Sequence, residues 1–157
     1  MDSITCINAI RDSLRTNLTD PYTLAGGTTR GGAYYIFANE PISAYKYPMI
    51  QILKADNPTE VISIGSEYWE YEQVFLNLWF YTKNGFKITV DGTEYKNAQM
   101  VEYYLGQMKE TLKAQFSPLF LIGVKGYKHV NTTNIEYDPD TQLYFGAVTI
   151  RVMFFKQ

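Results

Sequence analysis

The chain carries one cysteine and one histidine in 157 residues. A lone thiol excludes an internal disulfide and any cysteine-rich zinc site, and it suits a reducing compartment. The histidine, His129, falls in an expected strand between Lys128 and Val130. No second histidine is present to share a metal, and no Ser or Cys nucleophile is near it. Cys6 lies in a helical pattern at the other end of the chain, so a Cys–His pair has no local signature. Charge of one sign is scarce as well. With 14 Lys+Arg against 16 Asp+Glu the net charge is −2 and the pI about 5.4, which argues against strong non-specific binding to nucleic acid. No apolar run approaches the roughly 20 residues that cross a bilayer. The N-terminus opens into a helical pattern rather than the charged-then-apolar layout of a signal peptide, so synthesis in the cytoplasm is the expectation. Repeats, low-complexity stretches and linkers are missing too, and the length fits a single domain, 1–157.

What the chain has in plenty is aromatic surface: 16% of residues, among them 14 Tyr. Tyrosine offers a large contact area with a polar tip, which suits an interface or a wet sheet face; β-rich folds also use it freely. The richest stretch is Glu67–Thr82, EYWEYEQVFLNLWFYT. At period two, Val74, Leu76, Leu78 and Phe80 form one side, a sheet face turned to a core. Trp69, Tyr71, Gln73, Phe75, Asn77, Trp79 and Tyr81 form the other, too apolar for water and too polar for a sealed core. No Gly or Pro interrupts the run, so it reads as the central strand of a sheet whose mixed face is covered by a partner subunit.

Around that strand the patterns are regular. Asp2 or Ser3 can cap a helix with Ile4, Ile7, Ile10, Leu14 and Leu18 on one stripe and Arg11 and Arg15 beside it. Cys6 falls just off the stripe as a small packed residue, and the helix should stop before Asp20-Pro21. The glycine-rich segment LAGGTTRGG, Leu24–Gly32, lacks the GK[ST] and the following helix of a phosphate cradle. It reads instead as a loop that orders on assembly, with Arg30 as its contact. Strands are expected over Ala33–Ala38, Tyr47–Lys54 and Val61–Gly65, with a turn at Ala55–Pro58 and a bulge or bend at Gly65. Phe86–Tyr95 is either a tight hairpin about Val90–Thr93 or the capping box of the next helix, Asp91 with Glu94. That helix runs over about Lys96–Phe116, with Ala98, Val101, Leu105, Met108, Leu112 and Phe116 on its apolar face and Gly106 outside. Ser117-Pro118 should end it; Leu119–Val130 and Leu143–Phe155 are the last strands. The fold class is α+β: a mainly antiparallel sheet of about five strands with two helices on one face, in the order α-β-β-β-α-β-β.

Three groups of side chains bear on chemistry. Glu136, Asp138 and Asp140 alternate in a loop and could attract a hard cation, but the EF-hand spacing is absent and Asp-Pro-Asp-Thr is ordinary turn chemistry. Glu67, Glu70 and Glu72 beside Trp69 and Tyr71 resemble a sugar-site lining without the opposed partner that acid–base catalysis needs. No catalytic, cofactor or metal site is therefore assigned.

The helix INAIRDSLRTNL (Ile7–Leu18), the Gly-rich loop, FANEP (Phe37–Pro41), YPMIQIL (Tyr47–Leu53), the long EYWEYEQVFLNLWFYT strand, the helix NAQMVEYYLGQMKETL and the closing VTIRVMFF follow one another in a characteristic order. Together they resemble the tail terminator (tail completion, minor tail) proteins of long-tailed phages and related archaeal viruses, over nearly the whole chain and in layout and residue character. The Gly-rich loop and the Phe86–Tyr95 piece make this chain somewhat long for the family. The resemblance implies a non-enzymatic virion protein at the tail–neck junction. Such a protein forms a ring, commonly of six subunits, that caps the tail tube, meets tail tube and neck proteins, and passes genomic DNA through its lumen without a membrane. It implies interface positions at Trp69, Tyr71, Phe75 and Trp79 and in the loops around Arg30 and Asp138. Two different patches of each subunit would meet in such a ring, closing when the rotation is right. Other readings are a stopper or head-completion ring, an adaptor in a secretion or contractile machine, and a cone-shaped α+β barrel that holds a small ligand or acts as an isomerase.

Overall fold

The computed structural model describes residues 2–26, 35–38, 47–55, 61–63 and 70–156. In chain order the elements are α1 (Ser3–Asn17), α2 (Pro21–Leu24), β1 (Ile36–Ala38), β2 (Met49–Lys54), β3 (Val61–Ser63), β4 (Glu70–Lys83), β5 (Lys87–Val90), β6 (Thr93–Lys96), α3 (Asn97–Ala114), α4 (Phe116–Leu121), β7 (Val124–Thr132), β8 (Glu136–Asp138) and β9 (Leu143–Lys156). The sheet runs β1-β2-β4-β9-β7, with the short β3 on β4 and β8 on β9. All its pairings are antiparallel except β1 on β2. This is the expected α+β architecture, with the spine made by β4 and β9 paired over their full length from Glu70↔Lys156 to Lys83↔Leu143.

The covered face follows from alternation. Val74, Leu76, Leu78 and Phe80 of β4 and Val148, Ile150, Val152 and Phe154 of β9 are buried in one cluster with α1 and α3. Phe80 stacks on Tyr104 of α3 at 4.5 Å between ring centroids. The helix comes so near β9 that a Cβ on Gly146 would lie 3.2 Å from side-chain atoms of both Leu105 and Val101. Glycine there lets the helix settle on the sheet. At the other end of the layer, Asp2 accepts the Thr5 N–H at 2.7 Å and caps α1. Arg15 donates to the Ile36 carbonyl from Nε at 2.9 Å and Nη2 at 2.6 Å. Arg15 thus clips α1 to the edge strand.

Several sequence expectations need correction. Ser117-Pro118 does not end the helical region; it sits in the first turn of the separate short α4. A first-turn N–H has no intrahelical partner in any case, so Pro is tolerated there. The Leu119–Val130 strand therefore begins only at Val124. On α3 the buried face includes Met100 and Tyr104, while Ala98 and Phe116 are exposed. On α1, Ile4 lies off the core at 66% exposure. The connection after β7 holds a further strand, β8. Of the two readings of Phe86–Tyr95 the hairpin is the one found: β5 pairs with β6 about Asp91 and Gly92, whose φ of 48° and 79° are those of a tight two-residue turn. The glycine-rich loop from residue 27, the segment after Ala38, the turn at 56–60 and the bend at Gly65 lie outside the described residues.

Candidate functional site

The second face of the sheet is the surface the sequence marked out. On β4 it presents Tyr71, Gln73, Phe75, Asn77, Trp79 and Tyr81, alternating with the buried set. Strand register brings neighbours beside them. Met49 and Gln51 of β2 lie opposite Tyr81 and Trp79. Phe155, Met153, Arg151, Thr149, Ala147 and Phe145 of β9 lie opposite Tyr71, Gln73, Phe75, Asn77, Trp79 and Tyr81. None of these side chains belongs to the core cluster shared with α1 and α3.

The face has two halves. At the Lys83 end Trp79 stacks on Tyr81 at 6.2 Å and meets Phe145 at 6.1 Å, and Tyr47 meets Tyr81 edge-on at 6.2 Å. Met49 and Ala147 on this half are fully buried although they lie away from the helices. Burial, with Tyr47 adding to it, pushes the Tyr81 hydroxyl above its ordinary range. Towards the other end Gln73 is buried and the side chains around it are half-buried. Phe75 is half-buried and Asn77 accepts a hydrogen bond from the Thr149 hydroxyl at 2.7 Å. Tyr71 packs on Phe155 at 4.2 Å. Asn77 and Thr149 thus satisfy each other among the aromatic rings, while Gln51 and Gln73 on the same face are already buried, at 4% and 5% exposure.

The structure brings together three of the six candidate interface residues, Tyr71, Phe75 and Trp79, on this one face. Trp69 and Arg30 lie outside the described residues. Asp138 is elsewhere, opposite Leu143 at the start of β9. Its Oδ1 accepts the Asp140 N–H at 2.9 Å and its Oδ2 accepts the Thr141 hydroxyl at 2.9 Å. The Asp140 N–H, seconded by the Thr141 hydroxyl, holds the Asp138 carboxyl below its usual range. The carboxylate thus braces its own turn, as Asp in such turns does; no metal-ligating cluster occurs among the described residues.

The other places where chemistry was sought are plain. Cys6 is fully buried, and burial, helped by Glu72, pushes its thiol up to about 12. His129 Nε2 lies 2.8 Å from the Thr132 hydroxyl at the end of β7. A cleft of about 510 Å³ beside α3 is lined by Glu102, Gly106, Lys109, Thr132, Asn134 and Ile135, among others. It mixes one acid and one base with hydroxyl and amide groups and has no nucleophile–base pair. Among the described residues no helix is long and apolar enough to cross a membrane.

What sequence reasoning missed on this face is a pair of cations. Lys128 of β7 lies opposite Arg151 of β9, which lies opposite Phe75 of β4. Arg151 alternates visibly with Ile150 and Val152, but its pairing with Lys128 depends on the irregular register of β7, which shifts between Val124 and Gly126 and between His129 and Asn131.

No family model matches the chain, and no curated protein matches it. Among solved structures the chain is similar to one from the virion of the native gene transfer agent (GTA) particle, with a TM-score of 0.48 and 10% identity, over 95% of this chain and 93% of that one.

Proposed function

We propose that this chain is a structural virion protein: a ring subunit that terminates a tail tube and joins the tail to the head or neck. The observation that carries the reading is the open aromatic and amide face of the central sheet, Tyr71, Phe75, Asn77 and Trp79, which the chain's own helices leave to be covered. The order of elements that resembles tail terminators supports the viral assignment. A ring formed by association of such faces is driven by burial of aromatic surface. The mild net charge of −2 lets a genome pass through a lumen rather than adhere to it. No step of catalysis is assigned to any residue.

The test is assembly. Purified protein at high concentration should give a ring-sized species by light scattering and electron microscopy. Phe75→Glu, at a half-buried position with no ring contact among the described aromatic pairs, should leave a folded monomer and remove that species. Co-assembly with a tail tube protein supports the terminator role. Co-assembly with portal or adaptor alone would make the chain a stopper or head-completion ring instead. A monomer at every concentration, with a ligand copurifying in a cavity, would defeat the reading and favour a small-ligand barrel.

A further inference from the structure

We propose that the open sheet face receives an acidic turn from a second copy of this chain: Lys128 and Arg151 of one subunit meet Glu136, Asp138 and Asp140 of the next. The inference rests on the ring reading above and names the two patches that join.

Lys128 and Arg151 stand directly opposite each other in the β7–β9 ladder. Arg151 lies between the fully buried Ile150 and Val152, and so on the face away from the helices; Tyr127, opposite Val152, packs against the core, which turns Lys128 outward too. Like charges directly opposite one another in a sheet repel. The other strand neighbours of Arg151 on this face, Phe75, Thr149 and Met153, carry no charge to offset that. The ion pairs among the described residues join Arg11 and Arg15 to Asp12 and Lys87 to Glu94, all elsewhere. Among the described residues these two cations thus stand on the aromatic face without an acidic partner.

The same chain displays the complement. Glu136, Asp138 and Asp140 fall within five residues of β8 and its turn, engaged in none of those ion pairs. Tyr137 beside them is 42% exposed and packs on Tyr144 at 4.5 Å, so the acidic turn has an aromatic flank. Two hydrogen bonds of 2.9 Å from Asp140 and Thr141 brace the turn, and they leave each Asp138 oxygen a further lone pair for an outside donor. A braced turn gives up little freedom on docking.

The two patches cannot meet within one subunit. Asp138 pairs with Leu143, and Arg151 is eight residues further along the same straight strand, about 27 Å away. Two complementary patches at opposite ends of one strand are what a head-to-tail ring contact needs. A second copy is favoured over nucleic acid because the paired cations are bordered by Phe75 and Met153, the nearby Lys125 is held over the Phe120 and Phe155 rings, and the net charge is −2.

The experiment is a charge exchange read by sedimentation velocity. Lys128→Glu/Arg151→Glu should reduce the ring fraction at least tenfold while the circular dichroism spectrum stays that of a folded chain. Lys128→Glu alone, at an exposed position, should give a smaller loss of the same kind if the half-buried Arg151 site does not tolerate Glu. Glu136→Lys/Asp140→Lys, which keeps the Asp138 brace, should likewise lose the ring. Mixed in equal amounts, the two variants should assemble with each other, and the quadruple variant should assemble alone. A ring that ignores the substitutions, or losses that neither mixing nor the quadruple variant rescues, overturns this pairing and leaves the ring standing. Wild-type protein that forms no ring overturns both. Binding of a labelled DNA duplex that the Glu variants lose, with assembly unchanged, assigns the cations to nucleic acid and overturns the pairing as well.

Discussion

The two faces of the β4–β9 ladder are built from the same two strands, one residue out of phase, and they differ in everything else. The helix side is purely apolar on β4 from Val74 to Phe80 and is sealed by α1 and α3. The open side interleaves rings with Gln73, Asn77, Thr149 and Arg151, and most of it is only half-buried. A sealed face needs shape alone, so it is filled with hydrocarbon. A face that must live in water before it meets a partner needs polar groups that are satisfied in both states. The contrast teaches that the chain's stability and its proposed assembly are carried by opposite sides of one sheet, and so can be perturbed separately.

The largest separation is expected between Phe80→Ala and Phe75→Ala. The first empties the stack on Tyr104 and should cost about 3–5 kcal/mol of folding stability in denaturant titrations. The second should cost the monomer about 1 kcal/mol or less, while weakening self-association by light scattering. Equal losses of folding stability would break the distinction between the faces.

A second contrast uses pH. Burial of Cys6 in the sealed layer raises its thiol from an ordinary 9.0 to about 12. The group is neutral in the fold, so its contribution is whole below about 9 and is lost as pH rises towards about 12, where the unfolded chain ionises first. Urea titrations between those values should show stability falling more steeply in the wild type than in Cys6→Ala. Parallel curves would mean the thiol is not sealed.

The smallest effect sharpens the account of α3. Nothing lies within 4 Å of a Cβ placed on Gly106, so Gly106→Ala should raise stability by about 0.5–1 kcal/mol through helix propensity. If the same change also diminishes assembly, a neighbouring subunit approaches the helix there.

The sealed face was legible because β4 keeps strict period-two alternation, and burial follows it from Val74 to Tyr81; Gln73, buried on the other face, departs from it. The helix α4 was not, because a Ser-Pro pair stops a helix in one context and starts one in another, and only the bend at Gln115 decides between them. On the open face Tyr71, Phe75 and Trp79 could be read from alternation alone. The Lys128–Arg151 pair could not, since two register shifts in β7 set which residues stand opposite. Asp138 was singled out as a contact by resemblance; its place beside Leu143, at the far end from Arg151, needed the β8 pairing that the sequence had shown only as a loop.

Hydroxyl-radical footprinting of dilute and concentrated protein, read at Phe75 and Trp79 against the exposed Ile4, tests the central claim most directly. Covering of the open face by another copy predicts that oxidation of Phe75 and Trp79 falls severalfold on assembly while Ile4 keeps its rate. Assembly that leaves Phe75 and Trp79 as reactive as in the monomer would contradict it.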